Sequence, residues 1–112
     1  MKKVVFFAFK GEEMCFMHLL LNALDLNEKG IEAKIVMEGE AVKLIQVLEE
    51  SNNKLYQKAK DLNLFDSICK ACSAKMGVLE YNQTCGIPMN GELQGHPPMV
   101  DYIKAGFEII TL

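Results

Sequence analysis

At 112 residues, half of them hydrophobic, the chain is long enough for one hydrophobic core and too short for two. A net charge of −3 with scattered lysines leaves no basic run to track a phosphate backbone, which argues against a nucleic-acid partner. The apolar run at residues 4–9 is cut short by Lys10, Glu12 and Glu13, and no stretch approaches the roughly 20 apolar residues of a membrane span, so the expected setting is cytoplasmic, with no membrane partner. In that setting the four cysteines read as reactive, metal-binding or buried thiols, not as disulfide staples.

Residues 4–9 form a continuous apolar, β-prone run, the pattern of an interior strand covered on both faces. Lys10-Gly11 turns the chain, Glu12 and Glu13 suit a helix start, and 14–26 continues as helix to a stop at Lys29-Gly30. A second strand is expected at 33–37, a turn at Glu38-Gly39-Glu40, and a second helix on the face Ala41, Leu44, Ile45 and Leu48. Ser51-Asn52-Asn53 breaks that helix, and Leu55, Ala59 and Leu62 mark the next helical face. A short strand at 66–69 and a helix at 71–79 follow. Residues 84–96, rich in Gly and Asn, read as a structured loop with room for a short strand. Pro97-Pro98 opens a last helix through Lys104, Gly106 ends it, and 107–112 is a closing strand.

This alternation predicts a single domain over 1–112 of the α/β class: a flavodoxin-like, three-layer arrangement with an open, mainly parallel sheet and helices on both faces. Sites in such sheets lie beyond the carboxyl ends of the strands. Those ends carry Gly11, Glu38 and Gly39, and Lys70 beside the Cys69-x2-Cys72 pair. Gly11, Glu38, Gly39 and Lys70 are therefore the candidate substrate-binding residues. A thiol where a strand feeds a helix is expected to gain thiolate character, so Cys69 reads as an exposed nucleophile and Cys72, one turn on, as its resolving partner. His18 shares a helix face with Cys15, Glu38 is a candidate hydrogen-bond partner for it, and His96 lies in the loop before Pro97. No cofactor is expected unless the thiols take zinc, in which case Cys69, Cys72, Cys85 and His96 form a Cys3His set of structural type. Helix 14–26 is apolar around most of its circumference, more than one sheet face can cover, which predicts a homo-oligomer.

On these residues the chain resembles the DsrE-like family of small flavodoxin-like proteins, which includes subunits of sulfur-relay systems. The resemblance spans nearly the whole chain. It is carried by the opening strand with residues 16–24, by 36–41, by Cys69-x2-Cys72 with Gly77, and by Gly95-His96-Pro97 with Tyr102 and Gly106, and is closest to an uncharacterised prokaryotic branch. It implies a persulfide-accepting cysteine at the position of Cys69, or of Cys72 as in other members, and a trimer or hexamer. The functional expectation is a sulfur-carrier or persulfide-handling protein of sulfurtransferase type, with sulfur donor and acceptor proteins as partners. In it Cys69 accepts sulfur, Cys72 resolves it, and His18 and His96 position the group. The competing expectation is a non-catalytic ligand-binding or assembly module whose thiols hold zinc or pack.

Overall fold

A computed structural model describes residues 2–112. Five parallel strands, β1 (Lys3–Ala8), β2 (Glu32–Met37), β3 (Phe65–Cys69), β4 (Met89–Asn90) and β5 (Phe107–Thr111), form one sheet in the order β4-β3-β2-β1-β5. The continuous apolar run makes β1 an interior strand between β2 and β5. Its side chains alternate between the two faces: Val4, Phe6 and Ala8 enter the larger core, Val5 and Phe7 the smaller one. The strand ends at Ala8, one residue before the expected boundary, and Phe9 is partly exposed.

Chain order dictates an unequal distribution of helices. The connections β1 to β2, β2 to β3 and β3 to β4 all step in the same direction across the sheet, so right-handed crossovers lay their helices on one face. That face receives α1 (Glu13–Glu28), a 3-10 turn (Gly39–Lys43), α2 (Leu44–Glu50), α3 (Lys54–Asp61), α4 (Lys70–Lys75) and α5 (Leu79–Gln83). Leu19 and Leu20 of α1, Ile45 and Leu48 of α2 and Tyr56 of α3 are fully buried against Phe6, Ile35, Met37 and Ile68. Only the connection from β4 back to β5 runs the other way, and its helix α6 (Val100–Lys104) covers the opposite face. There Tyr102 packs edge-on against Phe7 and Phe107. One short helix suffices because this face turns polar over β2 and β3, where Lys34 pairs with Asp66 at 3.2 Å and Tyr102 donates to the other oxygen of Asp66.

The helix expected over 71–79 ends at Lys75, and a separate helix begins at Leu79. The chain turns at Gly77, where the N–H groups of Gly77 and Val78 return to the carbonyls of Ala74 and Ser73. The break at 51–53 occurs as expected, and Asn53 caps α3 by accepting from the Tyr56 N–H at 3.0 Å. β4, two residues long, lies within the expected loop 84–96. Among the described residues no helix is long and apolar enough to cross a membrane. Met14 and Leu21 on α1 stay exposed at 71% and 51%, so the apolar circumference of that helix exceeds what its own sheet covers.

The helical layer is tied together at Glu49. Its carboxylate accepts from Tyr56 and Lys60 of α3, both at 2.7 Å, and from Tyr81 of α5 at 2.6 Å; Lys60 also donates to the Cys85 carbonyl at 2.6 Å. Burial alone would raise the pKa of Glu49, but the hydrogen bonds from Lys60, Tyr81 and Tyr56 outweigh it and hold the carboxyl below its ordinary 4.5. A depressed folded-state pKa contributes stability above the ordinary value that is lost as pH falls through the folded one. Glu49→Gln is therefore expected to lose about 1–3 kcal/mol near neutral pH, and its deficit relative to the native chain should shrink as urea unfolding is repeated below about pH 4.5. A deficit that stays constant across that window would remove Glu49 from this role.

Candidate functional site

Parallel register brings the site residues together at the carboxyl edge of β2 and β3. Met37 of β2 lies beside Ile68 of β3, so the next residues, Glu38 and Cys69, emerge next to each other. Glu38 is fixed by its own N–H donating to the Ala8 carbonyl at 2.8 Å. Gly39 then takes φ +51 with its Cα hydrogens against Phe9, where a Cβ would lie 2.9 Å from the Phe9 carbonyl oxygen, so no larger residue fits.

Cys69 ends β3 and caps α4, its sulfur accepting from the Cys72 N–H at 3.4 Å, which sets the two thiols one turn apart on the same side. α4 is anchored from behind. The Ser73 hydroxyl donates to the Cys69 carbonyl at 2.8 Å, and Asn82 of α5 donates to both the Ser73 hydroxyl and the Val42 carbonyl. His96 reaches the same point from the loop after β4. Residues 93–96 close a tight turn through paired Leu93 and His96 backbone hydrogen bonds, with φ of +48 at Gln94 and +97 at Gly95. A Cβ at Gly95 would lie 2.8 Å from that of Ala71, and its carbonyl accepts from the Ala71 N–H at 2.8 Å, docking the loop on the start of α4.

The four side chains converge. His96 Nδ1 lies 3.1 Å from Cys69 Sγ, 3.8 Å from Cys72 Sγ and 3.5 Å from Glu38 Oε1, and Cys72 Sγ is 3.9 Å from the same Glu38 oxygen. One donor atom from each of Glu38, Cys69, Cys72 and His96 falls within 4.8 Å of all the others, so this group can hold a metal ion. Cys69 is fully buried, Glu38 is 7% exposed, and Cys72 and His96 are half-buried. No lysine bonds to any of the four.

Cys69 differs from the exposed nucleophile that was expected. Burial pushes its thiol up to about 12; the hydrogen bond from the Cys72 N–H works the other way, while the Cys72 side chain and the Glu38 charge add to the rise. A six-residue helix contributes too little to reverse this. Cys85 stands outside the group, its thiol donating to the Asn82 carbonyl at 3.2 Å, and Glu38 occupies the place in the cluster that the Cys3His set assigned to it. His18 is exposed on α1, where it lines a shallow groove with Cys15, Asn22 and Leu112; Glu38 lies 3.5 Å from His96 Nδ1 instead. Gly11 packs on Glu40, and the exposed Lys70 lays its stem on Gly91. Glu38, Cys69, Cys72 and His96 thus come together, whereas His18, Gly11, Lys70 and Cys85 do not join them. In metal-free, reduced protein, iodoacetamide at pH 7.5 is expected to label half-buried Cys72 faster than Cys69, and Cys69 labelling should climb only as the pH approaches about 12. Peptide mapping of the alkylated chain reads the order, and faster labelling of Cys69 would contradict it.

No family model matches the chain. An uncharacterized protein of Methanocaldococcus jannaschii, MJ0733, is 36% identical to it over 99 residues, which span 86% of this chain and 78% of that protein. An uncharacterized protein of Archaeoglobus fulgidus is 48% identical over 40 residues, 36% of this chain and 66% of its own length. Among solved structures, a conserved protein of unknown function from Bacteroides thetaiotaomicron, BT1422, superposes with a TM-score of 0.68 at 20% identity, covering 99% of this chain and 95% of that one, a likeness of fold. The chain belongs to the same family as the Methanocaldococcus jannaschii protein.

Proposed function

We propose that this protein binds a zinc-class divalent cation at the carboxyl edge of its sheet, with Cys69, Cys72, His96 and Glu38 as the four ligands. The observation that carries the reading is the convergence of their donor atoms. Bonds of about 2.0–2.3 Å to a tetrahedral zinc set neighbouring donors about 3.3–3.8 Å apart; four of the six separations here run from 3.1 to 3.9 Å, and all lie within 4.8 Å. Charge supports it too. Three acidic groups with no lysine in reach face a single imidazole, an arrangement that is costly with the thiols ionised and no cation, and favourable once a cation draws off the thiol protons.

Reduced full-length chain titrated with zinc against a chromophoric chelator is expected to bind one equivalent. Cys69→Ser, Cys72→Ser and His96→Ala should each weaken binding about 100-fold or more, while Cys85→Ser and Cys15→Ser leave it unchanged. Failure to bind zinc, or loss of binding in Cys85→Ser, would overturn the reading.

A second reading, the persulfide handling that the DsrE-like resemblance implies, is favoured by the half-buried Cys72 thiol 3.8 Å from His96 Nδ1, a base placed to take its proton. Here Cys72 takes the sulfane sulfur of a donor persulfide, the donor leaving as its thiol, with buried Cys69 as the neighbouring thiol. The exposed apolar side of α1 supports the homo-oligomer that goes with this reading. The two readings compete for the same sulfurs. In metal-free protein a 32-dalton adduct that survives Cys69→Ser and disappears in Cys72→Ser is the expected result of this second reading, and intact-mass spectrometry after incubation with a sulfane donor checks it.

A further inference from the structure

The four donors are not equally fixed. Cys69 and Cys72 are held by the end of β3 and the first turn of α4, and His96 by the tight turn at 93–96. Glu38 has a fixed backbone, but among the described residues its carboxylate's polar contacts are with His96 and Cys72, members of the cluster itself. It is also the one hard oxygen donor in a set of sulfur and imidazole ligands, the kind of ligand a borderline-soft cation exchanges most readily for sulfur.

What lies outside Glu38 is a groove of about 490 Å³. Glu38 and His96 face into it, and its walls are Leu93, Pro97, Pro98, Met99 and Val100. The cysteines do not line it, so a cation in the cluster has its thiolates behind it and its carboxylate toward the groove. The volume suits a small molecule, the walls are apolar, and no lysine is present to meet an anion.

Resting on the metal-site reading above, we propose that Glu38 is an exchangeable ligand and that the groove binds an uncharged, mainly apolar thiol whose sulfur takes its place on the cation. The exchange balances. The bond from the Glu38 oxygen to the metal breaks, one from the incoming sulfur forms, and the thiol proton passes to the released carboxylate; nothing is oxidised or reduced. The donor set selects the ligand class: a borderline-soft cation already held by two sulfurs and an imidazole takes a further sulfur in place of the carboxylate oxygen, whereas a ketone, ether or amide would only exchange one hard oxygen for another.

Cobalt-loaded full-length chain under anaerobic, reducing conditions tests this with 1-butanethiol as the probe. Thiolate-to-cobalt absorption should rise saturably by about half, as two thiolates become three, with the tetrahedral visible bands retained. The paramagnetically shifted imidazole N–H signal of His96 should persist, which identifies Glu38 as the departing ligand. A thiol carrying a sulfonate should bind about tenfold more weakly or worse, and Met99→Gln should weaken butanethiol by a similar factor. A normal two-thiolate cobalt spectrum that butanethiol does not change, loss of the His96 signal, or equal binding of the sulfonated thiol overturns this inference and leaves the metal site standing. Absence of any thiolate-to-cobalt absorption overturns the metal site, and this inference with it.

Discussion

The hydrogen-bonded ladder between β2 and β3 is the constraint from which the rest of this molecule follows. Because the two strands run parallel with Met37 beside Ile68, both chains leave the sheet at the same edge. Glu38 and Cys69 are 31 positions apart in sequence and become neighbours through that register alone. An antiparallel pairing would send the two residues to opposite ends of the sheet. A parallel ladder also requires a crossover between its strands, and here that crossover supplies α2 and α3, which roof the sheet behind the site.

Successive steps in one direction across the sheet give the molecule a thick side and a thin side. On the thick side the apolar faces of α1, α2 and α3 close over β1, β2 and β3, and the Glu49 network with Tyr56, Lys60 and Tyr81 clamps three helices whose individual lengths would not hold them in place. The thin side relies on Tyr102 packed edge-on against Phe7 and Phe107 and on Lys34 and Asp66 for its contact with water. Among the described residues, the loop leading into α6 is the one connection that crosses back over the sheet. It carries His96, and its prolines wall the groove, so the element that completes the thin face also completes the site.

Within the site, rigidity and charge are arranged in opposite senses. Three of the four residues are held by features that tolerate little change: the bonded edge of β3, the Ser73 and Asn82 chain under α4, the turn at Gly95 packed on Ala71. The side chains themselves form a concentration of acidic groups with one imidazole. Folding alone gains nothing from such a concentration, since burial and the nearby Glu38 carboxylate oppose the ionisation of Cys69. A preorganised set of this kind is one that can hold a metal ion.

The parallel α/β class, most of the element order and the closeness of Cys69 and Cys72 were legible in the residues. Continuous apolar strands, 3.6-residue periodicity and the Asn53 break are local signals, and local physics produces them. Glu38 was legible as a residue at a strand end and His96 as one in a loop, but their meeting was not, because it depends on β3 pairing with β2 and on the turn that docks Gly95 against Ala71. The same cause separates Cys85 from the cluster: sequence spacing brings it within reach of Cys69 and Cys72, whereas α5 turns its thiol back onto the Asn82 carbonyl. Exposure was equally out of reach, for Cys69 ends its strand under the His96 loop and is buried, while His18, on a helix rich in apolar residues, faces outward. The sequence by itself determined which segments become strands and helices and which residues carry chemistry. Tertiary structure decided which of those residues stand within bonding distance, because strand order, register and loop docking are set by long-range packing that no local pattern encodes.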